Sequence, residues 1–168
     1  MDKKSVPGIL KDFNERLPHF SDGRINYSNS DEAPTVVAFL KYKNEMLVLK
    51  RSNKVRTHEG KWSVVAGYLD ELKPVSKKII EEIKEETGIG EDKIRSLKMG
   101  EVRKFYDDKK TWISHPFLIE LKEKPEVELD WEHTDFEWVK IEKAKRYLSE
   151  PFSQGLSRIL SKLTGEVP

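Results

Sequence analysis

One segment restricts the fold of this chain more than any other, because it has the marks of an amphipathic helix. The spacing predicts a helix over Pro74–Thr87, with proline at a favoured first position and Gly88 just past the end. Four aliphatic side chains recur at helical spacing and form a stripe along it: Val75, Ile79, Ile80 and Ile83. Such a stripe has to pack against a second apolar layer, which the rest of the chain must supply.

Segments typical of β-strands supply that layer. Thr35–Tyr42 and Glu45–Arg51 are rich in β-branched and apolar residues, and the Lys43-Asn44 pair between them favours a hairpin. Further strands are predicted at Arg24–Tyr27, Trp62–Ala66, Met99–Tyr106, Thr111–Leu121 and Phe136–Val139. Further helices are predicted near Ile9–Leu17, Glu142–Ser149 and Phe152–Leu163. This order indicates an α/β fold with a mixed β-sheet flanked by helices on both faces.

Composition narrows the class of protein. A length of 168 residues fits a single domain over residues 1–168, in which residues 1–33 form an N-terminal extension of open role. The 31 basic and 30 acidic side chains nearly cancel, so we expect no nucleic-acid partner. The absence of cysteine excludes disulfides, thiolate zinc sites and cysteine nucleophiles. With no secretory signal and no membrane-spanning run, we expect a cytoplasmic protein without a membrane partner.

The predicted helix carries a cluster of acids. Glu82, Glu85 and Glu86 stand at i, i+3 and i+4, which places the three carboxylates on one face within one turn. Like charges this close repel each other, and a bound cation removes that repulsion. Oxygen ligands favour a hard ion such as Mg²⁺ or Mn²⁺. The alternative is a solvated acidic face with lysines as counter-charges, which is the usual environment of charge runs on helices.

The stretch from Gly67 to Ile89 resembles the signature of the Nudix hydrolases, G-x5-E-x7-R-E-U-x-E-E-x-G-U, where U is a bulky aliphatic residue. Gly67 takes the first glycine, and Gly88-Ile89 takes the closing pair. Glu82-Ile83 and Glu85-Glu86 take the acidic positions between them without an insertion. The resemblance implies the Nudix fold, an α/β/α sandwich, and metal-dependent hydrolysis of a diphosphate bond.

Two positions depart from that signature. Lys73 stands where the family has glutamate, and Glu81 stands where it has arginine. In the family these two side chains pair and brace the loop against the helix. Because both signs are exchanged here, the resemblance implies a Lys73–Glu81 ion pair with the same structural role. The alternative is that both residues are unpaired on the surface.

The resemblance also implies roles for individual residues. Glu82 and Glu86 are expected as the principal metal ligands, and Glu85 as a third ligand or as the catalytic base. The backbone carbonyl of Ala66 is expected to ligate the metal as well. Glu132 is the candidate base outside the signature, in a loop before a late strand. Less favoured substitutes for it are Asp130, His133 and Asp135.

The loop before Trp62 is basic and is predicted to bind the phosphates. Arg51 and Arg56, with Lys54 between them, offer cations suited to phosphate oxygens, although an ordinary charged loop is the alternative. Possible base-stacking groups are Phe105, Tyr106, Trp112 and Trp131. The expected substrate is a small nucleoside diphosphate linked to another group, with ADP-ribose and an oxidised nucleoside triphosphate as examples.

Several alternatives to this function are open or disfavoured. A non-catalytic nucleotide-binding domain of the same fold stays open, because Lys73 and Glu81 depart from the signature. Isopentenyl diphosphate isomerase shares the fold but uses a catalytic cysteine, which this chain lacks. Decapping of mRNA is disfavoured by the near-neutral charge. The family resemblance also makes a homodimer possible, with residues 1–33 as a candidate contact.

Overall fold

The computed structural model describes residues 2–164, with side chains through Ser161. Within that range the chain forms four α-helices and eight strands around one 3₁₀ turn at Glu91–Lys93. The helices are α1 (Gly8–Arg16), α2 (Val75–Thr87), α3 (Ile141–Tyr147) and α4 (Phe152–Thr164). The strands are β1 (Glu32–Tyr42), β2 (Glu45–Arg51), β3 (Trp62–Ser63), β4 (Val65–Tyr68), β5 (Ile94–Met99), β6 (Arg103–Asp107), β7 (Lys110–Leu121) and β8 (His133–Lys140).

Two long strands form the centre of a mixed sheet. β1 runs parallel to β7, and the other strand pairs are antiparallel. Each long strand changes its outer partner along its length. The first half of β1 pairs with β4 and its end pairs with β2, while β7 pairs first with β6 and then with β5. β2 in turn pairs with β3 and β8.

Strand alternation divides the apolar residues between two cores. In β1, Val36, Ala38 and Leu40 belong to one buried cluster, whereas Phe39 belongs to the other. The first cluster includes the apolar sides of α1 and α2, and the second includes those of α3 and α4. Helices therefore cover both faces, and the predicted α/β/α sandwich is confirmed. Among the described residues, no helix is both long enough and apolar enough to cross a bilayer.

The N-terminal extension packs onto the sheet side that carries α2. Leu10 and Phe13 of α1 are buried in the same cluster as the α2 stripe. The predicted strand at Arg24–Tyr27 is wrong, because this segment makes a single bridge between His19 and Ile25. The Ile25 amide instead donates to the Asp70 carbonyl at 2.8 Å, so this backbone supports the loop before α2 rather than a sheet ladder.

Two predicted strands are each divided in the structure. The Trp62–Ala66 prediction is wrong in extent, because β3 pairs with β2 whereas β4 pairs with β1 and continues past Gly67. The Met99–Tyr106 prediction is wrong for a similar reason, since β5 and β6 pair with different halves of β7. Between them the Gly100 amide donates to the Pro116 carbonyl at 2.9 Å, where the chain passes from one half to the other.

The remaining predicted elements are confirmed with shifted ends. The hairpin, the α1 segment, the long β7 strand, the β8 strand and the two C-terminal helices are present. Pro74 precedes α2 as its N-cap, in an extended conformation, rather than occupying its first turn. Gly88 ends α2 in a left-handed conformation with φ of 76°, as a helix-terminating glycine does. Residues 1 and 165–168 of the predicted single domain lie outside the described residues.

Candidate active site

The acidic face of α2 is oriented by the burial of its apolar face. Val75, Ile79 and Ile83 are fully buried against the sheet, so the rotation of the helix is fixed. Of the carboxylates on the adjacent face, Glu86 is 1% exposed and Glu82 is 9% exposed. The solvated-face alternative is therefore wrong for these two acids. Glu85 is exposed and lines a cavity.

Gly67 makes room for one of these carboxylates. A Cβ atom at this position would lie 2.4 Å from Cδ of Glu82, closer than any side chain permits. Its neighbour in β4, Ala66, donates its amide to Oε1 of Glu86 at 3.4 Å. The backbone of β4 thus meets both buried acids of α2. The Ala66 carbonyl as a ligand stays a prediction.

Burial and repulsion keep protons on this cluster. Burial raises the pKa of Glu86 well above its ordinary value, and the charges of Glu132 and Glu82 raise it further. Burial raises the pKa of Glu82 as well, although a hydrogen bond with Glu86 and the charge of Lys78 oppose this shift. In the absence of a cation, the cluster therefore retains protons above the usual range of glutamate.

Glu132 lines the same cavity and ends the loop that precedes β8. Burial, followed by the charge of Asp130, raises the pKa of Glu132 to about 7, although Arg51 acts in the opposite direction. The backbone carbonyl of Glu132 accepts a hydrogen bond from the Ser52 amide at 2.7 Å, which ties this loop to the end of β2. Its carboxyl group is held near a pKa suited to taking up a proton at neutral pH.

His133, predicted only as a less favoured substitute for Glu132, is a close neighbour of the cluster. Its side chain is buried, with Nδ1 3.2 Å from Oδ1 of Asp130 and Nε2 3.9 Å from Oε1 of Glu86. Burial lowers the pKa of His133, although the hydrogen bond to Asp130 and the charge of Asp130 act to raise it. Among the described residues, neither Nε2 of His133 nor Oε2 of Glu86 has a hydrogen-bond partner. The closeness of His133 to α2 depends on how β8 packs, which local sequence does not indicate.

Lys78 is a neighbour of the cluster that the sequence did not single out. It lies one turn before Glu82 on α2 and is 4% exposed. Its ammonium nitrogen is 2.9 Å from Oδ1 of Asp70, 3.3 Å from Oε1 of Glu71 and 3.4 Å from Oε1 of Glu82. A buried cation therefore joins the loop before α2 to one of the buried acids of the cluster.

The residues with exchanged charges are in contact. Nζ of Lys73 donates to both carboxylate oxygens of Glu81 at 3.0 Å, and it lies 3.4 Å from Glu71. Burial is the largest single influence on the pKa of Lys73 and lowers it. The contacts with Glu81 and Glu71 together outweigh burial, so the pKa of Lys73 is raised above its ordinary value. Side-chain exposures of 23% for Lys73 and 43% for Glu81 make this a partly solvated contact.

The basic loop after β2 also reaches the cavity. Arg51 donates from Nε to the Thr57 carbonyl at 2.9 Å, so part of its guanidinium shapes the loop itself. Burial lowers the pKa of Arg51, and the nearby charges of Glu132 and Glu86 act in the opposite direction. Arg56 lines the same cavity and is exposed.

The cavity that joins these groups has a volume of about 970 Å³. Its wall includes Glu82, Glu85 and Glu132 together with the two arginines of the basic loop. Three of the predicted aromatic residues, Phe105, Trp112 and Trp131, line it, as does Tyr68, whose ring lies 5.9 Å from that of Trp112. The space suits a ligand of nucleotide size with negative charge.

A hard divalent cation fits this donor set. Oε2 of Glu86 is buried and without a partner in the described part of the chain, and Gly67 leaves space at the Glu82 carboxylate. Across residues 2–164 the acidic and histidine side chains do not by themselves form a complete set of three ligands. Mg²⁺ usually completes its shell with water and substrate phosphates, so an incomplete protein set is compatible with it.

Comparisons with known proteins agree with this geometry. A family model described as a NUDIX domain matches residues 31–163. The chain belongs to the Nudix family. The family match and the signature on α2 identify this Nudix protein as a pyrophosphohydrolase. A search of curated protein sequences found no match.

Solved structures resemble this Nudix protein over most of its length. A MutT protein from Methanosarcina mazei Go1 is 27% identical, with a TM-score of 0.65, covering 77% of this chain and 94% of that one. A C. elegans Ap4A hydrolase is 20% identical, with a TM-score of 0.64 and coverages of 80% and 99%. The NUDIX domain of Shewanella oneidensis NrtR, complexed with ADP ribose, is 14% identical, with a TM-score of 0.64 and coverages of 76% and 86%. The last two likenesses show the fold alone.

Proposed function

We propose that this Nudix enzyme hydrolyses a diphosphate bond in a nucleoside diphosphate linked to a second group. Glu82, Glu85 and Glu86, with the carbonyl of Ala66, would hold its divalent cation, Mg²⁺ or Mn²⁺, and water and substrate phosphates would complete the shell. When bound, the cation supplies charge neutralisation of the diphosphate and activation of water. One observation carries the proposal: two buried, proton-retaining acids lie side by side on α2, and one of them, Glu82, lines a large cavity that also contains arginines.

The protein's own side chains have separate tasks in this reaction. Arg51 and Arg56 bind the phosphate oxygens, because guanidinium groups pair well with phosphates. Glu132 takes the proton from the attacking water, for which its pKa of about 7 is suited. Glu85 either completes the cation site or shares the role of the base, since it is exposed in the same cavity.

The non-catalytic alternative has lost its support. It depended on two departures from the signature, Lys73 and Glu81. The two side chains contact each other at 3.0 Å, so the charges are exchanged rather than unpaired. The substrate examples are ADP-ribose, dinucleoside polyphosphates and nucleoside triphosphates. Among structures of the same fold, one is a complex with ADP ribose and another is an Ap4A hydrolase.

The test is turnover on a panel of these compounds with and without Mg²⁺ or Mn²⁺. Hydrolysis exposes new phosphomonoesters, which a phosphatase converts to free phosphate for detection. We expect turnover that requires the cation and falls at least about a hundredfold in Glu86→Gln, while Glu91→Gln, an exposed acid outside the cavity, behaves as wild type. Binding of these ligands without turnover by the wild type would contradict the proposal and favour a non-catalytic domain.

A further inference from the structure

The cavity continues beyond the carboxylates to a second positive region. Its far wall contains Arg103 of β6 and Arg158 of α4, which we call the distal arginine pair. Phe105 and Gln154 line the wall beside them. None of these residues belongs to the Nudix signature or to the basic loop after β2. The distal arginine pair therefore needs a separate explanation.

Arg103 is held rigidly in place. Its Nη2 donates to Oε1 of Gln154 at 2.7 Å, and its Nη1 donates to the Pro151 carbonyl at 3.4 Å. The guanidinium carbon lies over the Phe105 ring, 4.6 Å from its centre. A guanidinium has five N–H donors, so these two hydrogen bonds leave three for a ligand. A cation fixed in this way loses little freedom when an anion binds.

The two arginines repel each other. Burial lowers the pKa of Arg103, the charge of Arg158 lowers it further, and only Glu150 opposes these effects. In the described part of the chain, neither guanidinium forms an ion pair within 4.0 Å. Lys104 and Glu101 also line this region, so with Glu150 its five charged side chains carry a net charge of +1 at neutral pH. An anion bound between the arginines removes this repulsion.

The strand register shows how far this region lies from the carboxylates. Tyr68 of β4 pairs with Thr35, Thr35 pairs with Ser114, and Ser114 pairs with Arg103. Three strand spacings of about 4.8 Å separate the backbones of β4 and β6 by roughly 14 Å. Gly67, which touches Glu82, precedes Tyr68 in β4. A group at the distal arginine pair is therefore several bonds away from the diphosphate.

We propose that the distal arginine pair binds a second anionic group of the substrate, a phosphomonoester remote from the diphosphate that is cleaved. The inference rests on the proposed function and narrows its substrate class. The preferred substrates are nucleoside diphosphate compounds that carry an additional phosphate, and the same compounds without that phosphate are poorer.

The test compares substrates that differ by one ribose phosphate: coenzyme A with 3′-dephospho-coenzyme A, and NADPH with NADH. We expect kcat/KM of the wild type to favour the phosphorylated member of at least one pair by about tenfold, as a charge-assisted contact provides. Arg158→Gln reduces that preference to about twofold or less, because Arg158 is exposed and its loss leaves the fold intact. Arg95→Gln, an exposed arginine of β5 outside the cavity, keeps the full preference.

Two results would overturn the inference. One is a wild type that prefers neither phosphorylated compound, and the other is a preference that Arg158→Gln leaves unchanged. Failure of the proposed hydrolysis is a separate outcome, in which no compound is turned over. In that case the dissociation constants of the same pairs, measured by calorimetry on wild type and Arg158→Gln, decide the inference by the same ratios.

Discussion

Two acids of the signature lie where water cannot stabilise their charge. Glu86 is 1% exposed and Glu82 is 9% exposed, and burial is the largest influence on the pKa of each. Each carboxyl group needs either a proton or a neighbouring cation to remain in this environment. Lys78 supplies one positive charge to Glu82, but Oε2 of Glu86 has no partner among the described residues.

Glu132→Gln is predicted to remove the acidic limb of the pH profile. In the wild type, kcat/KM falls as the pH drops through the pKa of Glu132, because a base must be ionised to take a proton. That pKa is about 7 without a cation, and a cation nearby moves the limb to lower pH. The substitution lowers kcat by about 10²-fold or more and flattens the limb. An unchanged limb in the variant would assign the base to another residue.

Lys78→Met is predicted to destabilise the protein strongly. The change removes a buried cation that contacts three carboxylates. Glu82 loses its ion-pair partner, and Asp70 keeps Arg24 at 4.0 Å. Loss of one partner from a buried charge network costs about 3–5 kcal/mol. Urea denaturation measures the free energy of unfolding, with Lys77→Met on the exposed side of α2 as the control. Equal effects of the two substitutions would contradict a role for the buried network.

The acids of α2 were predictable from the sequence, but their surroundings were not. Spacing within one helix places Glu82, Glu85 and Glu86 on a common face whatever surrounds the helix. Lys78 has the same spacing to Glu82, yet the sequence indicated only a counter-charge at the surface. Its burial depends on the loop that folds over it through Asp70, and no periodic pattern reports such a contact.

Ion pairs on two sides hold the loop before α2 to the helix. Lys73 contacts Glu81, while Asp70 and Glu71 contact Lys78. The N-terminal extension adds a third support, since the Tyr27 hydroxyl donates to the Leu69 carbonyl at 2.5 Å. The loop that follows Gly67 and Ala66 of β4 is therefore held in a fixed position beside the helix.

A double-mutant cycle tests the exchanged ion pair. Lys73→Glu and Glu81→Arg each place like charges together and are predicted to lower stability by about 1 kcal/mol, within the range of partly exposed pairs. The double variant restores the family's own arrangement and most of the loss. The free energies of unfolding of the four proteins provide the coupling energy. Additive losses in the double variant would show that the two side chains do not interact.

Strand partners were the least predictable elements. Residues 62–66 and 99–106 are each predicted as one strand, but each segment changes partner midway. Pairing partners are set by residues far away in sequence, so local composition cannot locate such a change. The long strands β1 and β7 were predicted to within three residues at each end, because each has a long buried apolar run.

The cavity forms where several segments that are distant in sequence meet. We infer that residues 2–33 fold with the rest as one domain, because Leu10 and Phe13 share the core of α2. The opposite wall is supplied by α4, which packs on the other face of the sheet. The homodimer and the cytoplasmic location stay predictions.

Stability without a cation is predicted to fall as the pH rises towards neutrality. Glu82, Glu86 and Glu132 have raised pKa values in the folded protein, so from about pH 4 upwards the folded state holds more protons than the unfolded one. The free energy of unfolding then decreases up to the folded pKa values, about 7 for Glu132. Saturating Mg²⁺ favours the ionised acids and removes this decrease.

Urea titrations at pH 6.5 and 8, with and without Mg²⁺, measure this change. The interval avoids most of the opposite effect of the buried His115 and His133, whose lowered pKa values influence stability mainly below about pH 6.5. The expected result is a larger stabilisation by Mg²⁺ at pH 8 than at pH 6.5. Stabilisation by Mg²⁺ that is equal at both pH values would contradict the link between the cation and these acids.

The claim on which the proposed function depends is that the buried acids of α2 bind a divalent cation. Electron paramagnetic resonance of free Mn²⁺ measures this directly, since ions bound by protein lose the free-ion signal. We expect the wild type to bind Mn²⁺ at least about tenfold more tightly than Glu86→Gln, and Glu91→Gln to match the wild type. Equal affinity in wild type and Glu86→Gln, or no binding by the wild type, would contradict the claim.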